Sequence, residues 1–474
     1  MSVGPPIRAR SGDPAEAVLV DLNQPQRAAV TAPDGPLLIL AGAGSGKTRV
    51  LTHRIAHLVA TGRVRPHEVL AVTFTNRAAR EMRERLVRLL GGEPPGLWLG
   101  TFHAIAVRLL RRDGDAIDVP RDFTIYDEGD RQAALRRALQ QVGAEERRVS
   151  PAAAAGAVSH AKNEGQTPAT YASRARTPFE HLIARAWPVY EQLLAESHAL
   201  DFDDLLLRAV QLLEEAEPVA RRYQDRFQQI LVDEYQDTNQ SQYRIVRALA
   251  ARHAHLTVVG DPDQSIYAWR GADLRNILSF EADYPQAQVV ALEQNYRSTG
   301  RILEAAEAVI HANLARVPKR LWTEAGPGPA VTLAQLYDER EEATAVAHEA
   351  RRLVDHEGAS LGEMAVLYRT NAQSRALEEV LLRQGIPYQL VGGVRFYQRK
   401  EVKDCLAYLR LLLNPDDEVA FERVVNVPKR GVGPQSLVDL AQVAERAGSS
   451  RMAAIPLAGE GRRRSAAAPA RRHI

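Results

Sequence analysis

Short apolar runs alternate with amphipathic stretches along most of the chain. Six of these runs have the length and composition of buried strands, at 37–40, 69–74, 97–100, 229–232, 256–259 and 289–292. Amphipathic stretches with helical spacing follow them, as at 49–59 and 77–90. Strand, helix and strand in this order predict a parallel sheet covered by helices, with ligand-binding loops at the carboxyl ends of the strands. The predicted fold class is therefore α/β.

The segment 113–198 departs from this pattern, because it is rich in Ala, Arg and Gln and has few strand signals. It predicts a helical insertion into the first sheet domain. A second alternation follows, with predicted strands at 331–336, 364–368 and 388–391 and predicted helices at 340–355 and 374–383. These elements are too few for a complete sheet domain covered on both faces.

The C-terminal part of the chain is predicted to be helical at first and irregular at its end. A helix is predicted at 400–413, and after about residue 448 the pattern gives way to a basic tail that we expect to be disordered. The turn at 426–433 combines cations with glycines and is suited to approach a backbone phosphate.

Composition excludes several classes of protein. The chain has 474 residues, of which 45% are hydrophobic and 25% charged, so it is typical of globular proteins with two to four domains. It has neither a transmembrane run nor a signal-peptide core, and we expect a cytoplasmic protein without a membrane partner. The single cysteine, Cys405, excludes an internal disulfide and a cysteine metal cluster. A net charge of +2 does not by itself indicate a nucleic-acid partner.

A glycine-rich loop lies between the first predicted strand and its helix. Its backbone amides and the helix N-terminus would hold phosphate, Lys47 would reach the β- and γ-phosphate oxygens, and Thr48 would bind Mg²⁺. The usual first glycine is Ala41 here. The residues predicted to bind the nucleotide at this loop are Gly42, Ala43, Gly44, Ser45, Gly46, Lys47, Thr48 and Arg49.

Two adjacent acids follow the strand at 229–232. They would supply the carboxylate ligand for the metal and the general base, neither of which the glycine-rich loop contains. Asp233 is predicted to hold Mg²⁺, and Glu234 to orient and deprotonate the attacking water. After the strand at 256–259, Gln264 is predicted to sense the γ-phosphate. These residues and the loop predict hydrolysis of a nucleoside triphosphate.

Aromatic residues near the same sheet edge predict a polymer-binding surface. Tyr267, Trp269 and Arg270 follow Gln264 within a few residues and offer ring faces and a guanidinium plane for stacking bases of a single strand. Phe74 and Phe102 stand at the ends of other predicted strands, where an aromatic ring either stacks a base or belongs to the core.

In this order and spacing the motifs resemble those of the superfamily 1 DNA helicases of the UvrD/Rep/PcrA type, over roughly residues 20–445. Eight segments carry the resemblance, at 22–26, 41–48, 73–76, 100–103, 202–205, 232–238, 260–271 and 294–298. The resemblance implies a P-loop NTPase with two RecA-like domains and two helical insertions. These would be 1A at 1–112 and 199–291, 1B at 113–198, a partial 2A at 292–396, and 2B from 397 to 474 with the basic tail.

The resemblance also implies the substrates and the roles of individual residues. ATP with Mg²⁺ would bind between 1A and 2A, with Gln26 and Tyr296 at the adenine and with Gln264 and Arg297 at the γ-phosphate. Single-stranded DNA and 3′-tailed duplexes would be the partners, together with repair or replication proteins. The residues implied to contact DNA are Phe74, Asn76, His103, Tyr267, Trp269 and Arg270.

Three functional hypotheses remain open from the sequence. The first is an ATP-dependent 3′–5′ helicase. The second is a truncated or frameshifted fragment that binds nucleotide and DNA without translocating, because the later motifs of the family, with a second arginine at the γ-phosphate, do not follow Gly433. Loss of an arginine finger costs about 10³ to 10⁵ in turnover. The third, a metabolite kinase or GTPase, leaves Tyr267, Trp269 and Arg270 unexplained.

Overall fold

A computed structural model describes residues 14–144, 149–313, 319–391 and 400–466. By internal contacts the chain divides into two compact units, residues 1–328 with 404–474 and residues 329–403. The four family domains predicted from the sequence have boundaries different from those of the two units. That division into four domains stays a prediction. Its boundary at 397 lies outside the described residues.

The first unit is built on a parallel sheet, as predicted. Its strands are β1 (Leu37–Ala41), β2 (Val69–Thr73), β3 (Trp98–Thr101), β6 (Gln229–Val232), β7 (Leu256–Gly260) and β8 (Gln288–Leu292), and a separate parallel pair is formed by β4 (Thr124–Ile125) and β5 (Ala199–Leu200). The sheet has six strands in the order β3-β2-β6-β7-β1-β8, so β1 lies between β7 and β8. The glycine-rich loop therefore leaves the sheet beside the loops that follow β7 and β8.

Helices cover both faces of this sheet. The helices of the first unit up to its insertion, and those after it, are α1 (Pro14–Ala17), α2 (Gln24–Thr31), α3 (Lys47–Ala60), α4 (Asn76–Leu90), α5 (Phe102–Asp113), α10 (Phe202–Glu215), α11 (Glu217–Arg226), α12 (Gln240–Ala250), α13 (Arg275–Leu278), α14 (Phe280–Asp283) and α15 (Gly300–Ile310). Successive side chains of β1 point to opposite faces, so Leu37 and Ile39 pack with α2, α3 and α4, and Leu38 packs in the core that contains α5, α10 and α12. Burial on both faces explains why β1 is apolar throughout.

Arg54 of α3 is fully buried and links α2 to the sheet by hydrogen bonds. Its Nη1 donates to the carbonyl oxygens of Ala29 at 3.1 Å and Ala32 at 3.0 Å, near the end of α2, and its Nε donates to Thr257 Oγ1 of β7 at 3.0 Å. Burial lowers the pKa of Arg54 to about 10. The carbonyls at the C-terminal end of α2 are thus satisfied by one guanidinium, which holds the helix beside the glycine-rich loop.

The predicted insertion is helical in the structure. It consists of α6 (Glu128–Gln141), α7 (Pro151–Asn163), α8 (Pro168–Arg174) and α9 (Pro178–Glu196). Trp187 and Tyr190 of α9 lie in its core with small side chains of α7 such as Ala154. Alanines on α7 let the helices approach closely, which accounts for the Ala-rich composition.

A buried lysine joins the insertion to α10. Lys162 Nζ lies 3.0 Å from Asp201 Oδ2, 2.7 Å from Asp204 Oδ1 and 2.9 Å from Glu191 Oε1. Burial alone would lower the pKa of Lys162, but the surrounding carboxylates raise it well above its usual value. The ammonium group is therefore charged and compensates a set of acids that would be costly to bury without it.

The C-terminal segment of the first unit packs on the insertion. It contains α18 (Lys400–Leu413) from Asp404 onward, a helix that was predicted, and all of α19 (Glu418–Val424), α20 (Pro434–Ala447) and α21 (Arg451–Ala466). Tyr126 Oη donates to Asp417 Oδ1 at 3.0 Å, and Arg410 Nη1 donates to Asp130 Oδ2 at 2.7 Å. The prediction of a disordered tail after about 448 was wrong as far as residue 466, because α21 is anchored by Arg451, which pairs with Glu418. Residues 467–474 lie outside the described part.

The second unit contains the two predicted helices but none of the predicted strands. The helices are α16 (Glu339–Glu357) and α17 (Ser374–Arg383), which share a small core of alanines, Val380 and Ile386. The segments 331–336, 364–368 and 388–391 are irregular, which corrects the strand prediction. A strand needs a neighbour to accept and donate its backbone hydrogen bonds, and in the described residues no strand pairs with these segments.

Candidate nucleotide site and nucleic-acid surface

The glycine-rich loop turns sharply between β1 and α3. Gly44 and Gly46 have φ values of +67° and +91°, in the left-handed region that favours glycine. Ser45 Oγ donates to the Gly42 carbonyl at 2.7 Å and closes the turn. Because α3 begins at Lys47, its first backbone amides face the loop, and such helix N-termini bind anions.

Three residues predicted for catalysis meet beside this loop. Lys47 Nζ lies 2.8 Å from Glu234 Oε2 and 3.1 Å from Gln264 Oε1. They follow β1, β6 and β7, which are neighbours in the sheet and end at the same edge. Glu234 has a φ of 51°, a left-handed conformation that costs energy for a residue other than glycine and occurs often at active sites.

Thr48 and Asp233 form a pair of oxygen ligands. Thr48 Oγ1 donates to Asp233 Oδ2 at 3.0 Å. Burial, with repulsion from Glu234, raises the pKa of Asp233 to about 6. A hydroxyl and a buried carboxylate suit Mg²⁺, which takes few protein ligands and completes its shell with phosphate and water. The residues present therefore fit this ion.

Two residues that the sequence prediction left without a role connect the catalytic side chains. Gln236 Nε2 donates to Glu234 Oε2 at 2.9 Å, and Gln236 Oε1 accepts the backbone amide of Asp261 at 3.0 Å. The Gln264 side-chain amide donates to the carboxylate of Asp261. Together with the contacts of Lys47, these bonds form a closed ring of residues beside the glycine-rich loop.

The residues predicted at the adenine lie at the N-terminus of α2. Gln26 is buried and donates to the Ser45 carbonyl at 2.9 Å, so its amide contacts the glycine-rich loop. Asn23 Nδ2 donates to Tyr296 Oη at 2.7 Å, and the Tyr296 ring is 54% exposed. Arg49 donates to the Asp21 carbonyl at 2.8 Å. Asn23 is the N-cap of α2 and accepts the Gln26 backbone amide at 2.8 Å, so it joins the two predicted adenine contacts.

The segment that carries Arg297 lies directly over the glycine-rich loop. The amide of Tyr296 donates to the Gly44 carbonyl at 3.0 Å, and Asn295 Nδ2 donates to the Ala43 carbonyl at 2.5 Å. A Cβ added to Gly44 would lie 2.9 Å from the Arg297 Cβ. Arg297 is exposed beside the loop, so the structure brings the predicted arginine finger to the same side of the sheet as Lys47.

Aromatic rings continue from the loop of Gln264 to the surface. The ring centroids of Phe74 and Tyr267 are 4.8 Å apart, and those of Tyr267 and Trp269 are 6.3 Å apart. The Arg270 guanidinium lies 4.6 Å from the centroid of the Trp269 ring, and Trp269 is 70% exposed. We name Phe74, Tyr267, Trp269 and Arg270 the aromatic surface.

Two further residues predicted to contact DNA lie at the starts of α4 and α5. Asn76 is exposed, whereas His103 is half-buried and packs edge-on against Phe202 with centroids 5.8 Å apart. Burial lowers the pKa of His103, which favours its neutral form. Phe202 is 49% exposed and was not predicted as a contact. The sequence could not indicate the contact between Phe202 and His103, because α5 and α10 come together only in the fold.

The aromatic surface is braced by the helical insertion. Gly271, which follows Arg270, has a φ of +82°, and a Cβ there would lie 3.0 Å from the Cβ of Asn163 on α7. Asn163 Oδ1 accepts from Asn239 Nδ2 at 2.8 Å, and Asn163 Nδ2 donates to Asp203 Oδ1 at 3.1 Å. The loop therefore packs on a polar network that links the insertion with the sheet domain.

A parallel sheet with this loop and these acids at its carboxyl edge defines a P-loop NTPase fold. The family model of the UvrD/REP helicase N-terminal domain matches residues 22–285, and that of the UvrD-like helicase C-terminal domain matches residues 290–450. The chain belongs to the UvrD/REP helicase family.

Curated relatives are similar along most of the chain. An "ATP-dependent DNA helicase PcrA" of Leuconostoc citreum is 49% identical over 441 residues, which are 93% of this chain and 59% of the relative. The protein of the same name from Bacillus subtilis is 49% identical over 438 residues, 92% of this chain and 59% of the relative. The protein of that name from Staphylococcus aureus strain Mu50 is 48% identical over 423 residues, which are 89% of this chain and 58% of the relative. The chain thus spans somewhat less than two thirds of the length of these relatives.

His, Cys, Asp and Glu side chains within 14–144, 149–313, 319–391 and 400–466 form no group of three or more placed to hold a metal ion. Across the same part of the chain, no helix combines the length and apolar character needed to cross a membrane.

Proposed function

We propose that the protein is an ATP-dependent DNA translocase and helicase that moves 3′ to 5′ on single-stranded DNA in repair or replication. One observation carries the proposal: a single loop holds both Gln264, which contacts Lys47, and the exposed Trp269. A change at the γ-phosphate would thereby be transmitted along one short loop to a base-stacking surface. The relatives described above are ATP-dependent DNA helicases, which supports this activity.

The chain's own residues account for hydrolysis in this proposal. Glu234 accepts a proton from the attacking water, and Gln264 orients the γ-phosphate. Lys47 and Arg297 stabilise the negative charge that develops on the transferred group. Mg²⁺, held by Thr48 and Asp233, would neutralise phosphate charge when bound. Tyr296 would stack on the adenine, and its contact with Asn23 fixes the ring.

A second candidate function is binding of nucleotide and DNA without unwinding. It is favoured by the irregular segments at 331–336, 364–368 and 388–391, since a motor needs a rigid second domain that moves against the first. In this case the sites described above would still bind their ligands, but hydrolysis would not drive movement along DNA.

ATP turnover with and without a single-stranded oligonucleotide separates the two candidates. A translocase is expected to hydrolyse ATP faster with the oligonucleotide, and a 3′-tailed duplex should then be unwound whereas a 5′-tailed duplex should not. Binding of both ligands without stimulated turnover would favour the second candidate. Unwinding from a 5′ tail alone would contradict the proposed direction.

Replacing Trp269 by Ala is expected to weaken binding of single-stranded DNA. Loss of one base-stacking ring costs about 1 to 3 kcal/mol, which corresponds to about 5- to 150-fold in Kd. Fluorescence anisotropy with a labelled oligonucleotide measures the effect. Trp269→Phe keeps a ring face and should lose much less, and Phe179→Ala removes an exposed ring on α9 as a control. Equal affinity of Trp269→Ala and the unchanged protein would exclude stacking on this residue.

A further inference from the structure

Lys319 forms a buried ion pair cluster beside the nucleotide site. Its side chain is 8% exposed and pairs with the carboxylate of Asp261, which is 2% exposed, and with that of Asp263, which is 8% exposed. The distance from Lys319 Nζ to Asp263 Oδ2 is 2.9 Å. Removing one partner of such a cluster strongly lowers the stability of the protein, because the remaining charges stay out of water.

Asp261 connects this lysine to Gln264. One carboxylate oxygen of Asp261 binds Lys319, and the other accepts the side-chain amide of Gln264. The Gln264 Oε1 is thereby turned toward Lys47, at 3.1 Å from Nζ. Lys319 therefore acts on the orientation of Gln264 through a single intervening side chain.

The backbone around Lys319 is bonded to the segment that carries Arg297. The amide of Trp322 donates to the Glu293 carbonyl at 3.1 Å, and the amide of Asn295 donates to the Trp322 carbonyl at 2.8 Å. A Cβ added to Gly42 would collide with Leu321, at 2.1 Å from its Cδ2. The stretch that bears Lys319 thus contacts the glycine-rich loop and is hydrogen-bonded to the segment that bears Arg297.

We propose that Lys319 is a positioning residue of the nucleotide site, which rests on the proposed function. It holds Asp261 so that Gln264 faces the γ-phosphate, and it makes that orientation depend on the segment that carries Arg297. The protein thereby distinguishes ATP from ADP through a lysine that lies outside the P-loop. Neither the spacing of the motifs nor the glycine-rich loop indicates this residue.

The test compares Lys319→Met with Lys319→Arg and with Arg320→Met, a control at an exposed neighbouring cation. Affinity for Mg-ADP and for a non-hydrolysable ATP analogue is measured by titration with fluorescent nucleotides, and kcat is measured with single-stranded DNA. Lys319→Met is expected to lower kcat by about 10- to 100-fold, since a misplaced positioning group has effects of this size. It should also abolish the preference for the analogue over ADP, with ADP affinity changed by less than about twofold. Lys319→Arg should retain most of both properties, and Arg320→Met should match the unchanged protein.

A charge-matched double variant separates a loss of positioning from a loss of folding. Lys319→Met combined with Asp263→Asn keeps the net charge of the cluster, because one positive and one negative charge are removed together. It is expected to fold, by thermal denaturation, and still to lack the preference for the ATP analogue. Recovery of the preference in this variant would overturn the proposal, since Lys319 would then act through charge balance alone. An equal loss of ADP and analogue affinity in a folded variant would also overturn it. If the unchanged protein shows no DNA-stimulated turnover, the helicase proposal fails, but the titrations still decide the role of Lys319.

Discussion

Replacing Glu234 by Gln is expected to lower ATP turnover by a factor of about 10² to 10⁴. Gln preserves the size of the side chain and one acceptor oxygen toward Lys47, but its amide cannot accept a proton from water. Nucleotide affinity should change by much less, because in the proposed function most phosphate contacts come from the glycine-rich loop and the start of α3. Phosphate release in the presence of a single-stranded oligonucleotide measures turnover, and titration with a fluorescent nucleotide measures binding.

Glu281→Gln is the matched control for this experiment, since Glu281 is exposed on α14. It should leave turnover and binding unchanged. Turnover by Glu234→Gln within tenfold of the unchanged protein would mean that another group accepts the proton. A parallel loss of nucleotide binding would instead mean that the contact of Glu234 with Lys47 is needed to form the phosphate site.

Replacing Lys162 by Met is expected to lower the stability of the protein, and this is the second large effect. The variant leaves Asp201 and Asp204 buried without their cation, and breaking such a cluster costs about 3 to 5 kcal/mol in the free energy of unfolding. Met has a similar length, so little of the loss comes from an unfilled cavity. Urea denaturation followed by circular dichroism gives the unfolding free energy of both proteins.

The control is an ion pair at the surface. Arg77 pairs with Glu81 at 3.1 Å on α4, and the two side chains are 76% and 47% exposed. Arg77→Met should change the unfolding free energy by no more than about 0.5 kcal/mol. A loss below about 1 kcal/mol for Lys162→Met would show that the acids take up protons or water at little cost.

The sheet and most helices follow from local patterns in the sequence. The limits of α17 and α18 agree with the prediction, since amphipathic spacing and flanking polar residues define them without reference to distant parts. The strands predicted at 331–336, 364–368 and 388–391 are not formed, because an apolar run becomes a strand only beside a partner. Leu333 accordingly is 97% exposed in an irregular segment. Periodicity reports the preference of a segment but not the presence of its neighbour.

The sequence also predicts that the residues proposed for catalysis meet at one place. Lys47, Glu234 and Gln264 each follow a parallel strand, and the carboxyl ends of such strands converge on one edge. Gln236 and Asp261 join them by side-chain hydrogen bonds, for which no sequence spacing exists. The residues at the ends of strands can therefore be predicted from the sequence, whereas those that orient them cannot.

β1 has no neighbouring strand until more than half of this chain has been synthesised. Its partners, β7 and β8, lie beyond the whole helical insertion, whereas β2 and β3 can pair soon after they leave the ribosome. Until β7 is made, the nascent polypeptide carries a strand that is apolar on both faces and has free edges, a state that invites association with other chains. The strand that leads into the phosphate loop therefore waits longer for its first neighbour than β2 or β3 does, and we expect the yield of folded protein to depend on chaperones that shield it cotranslationally.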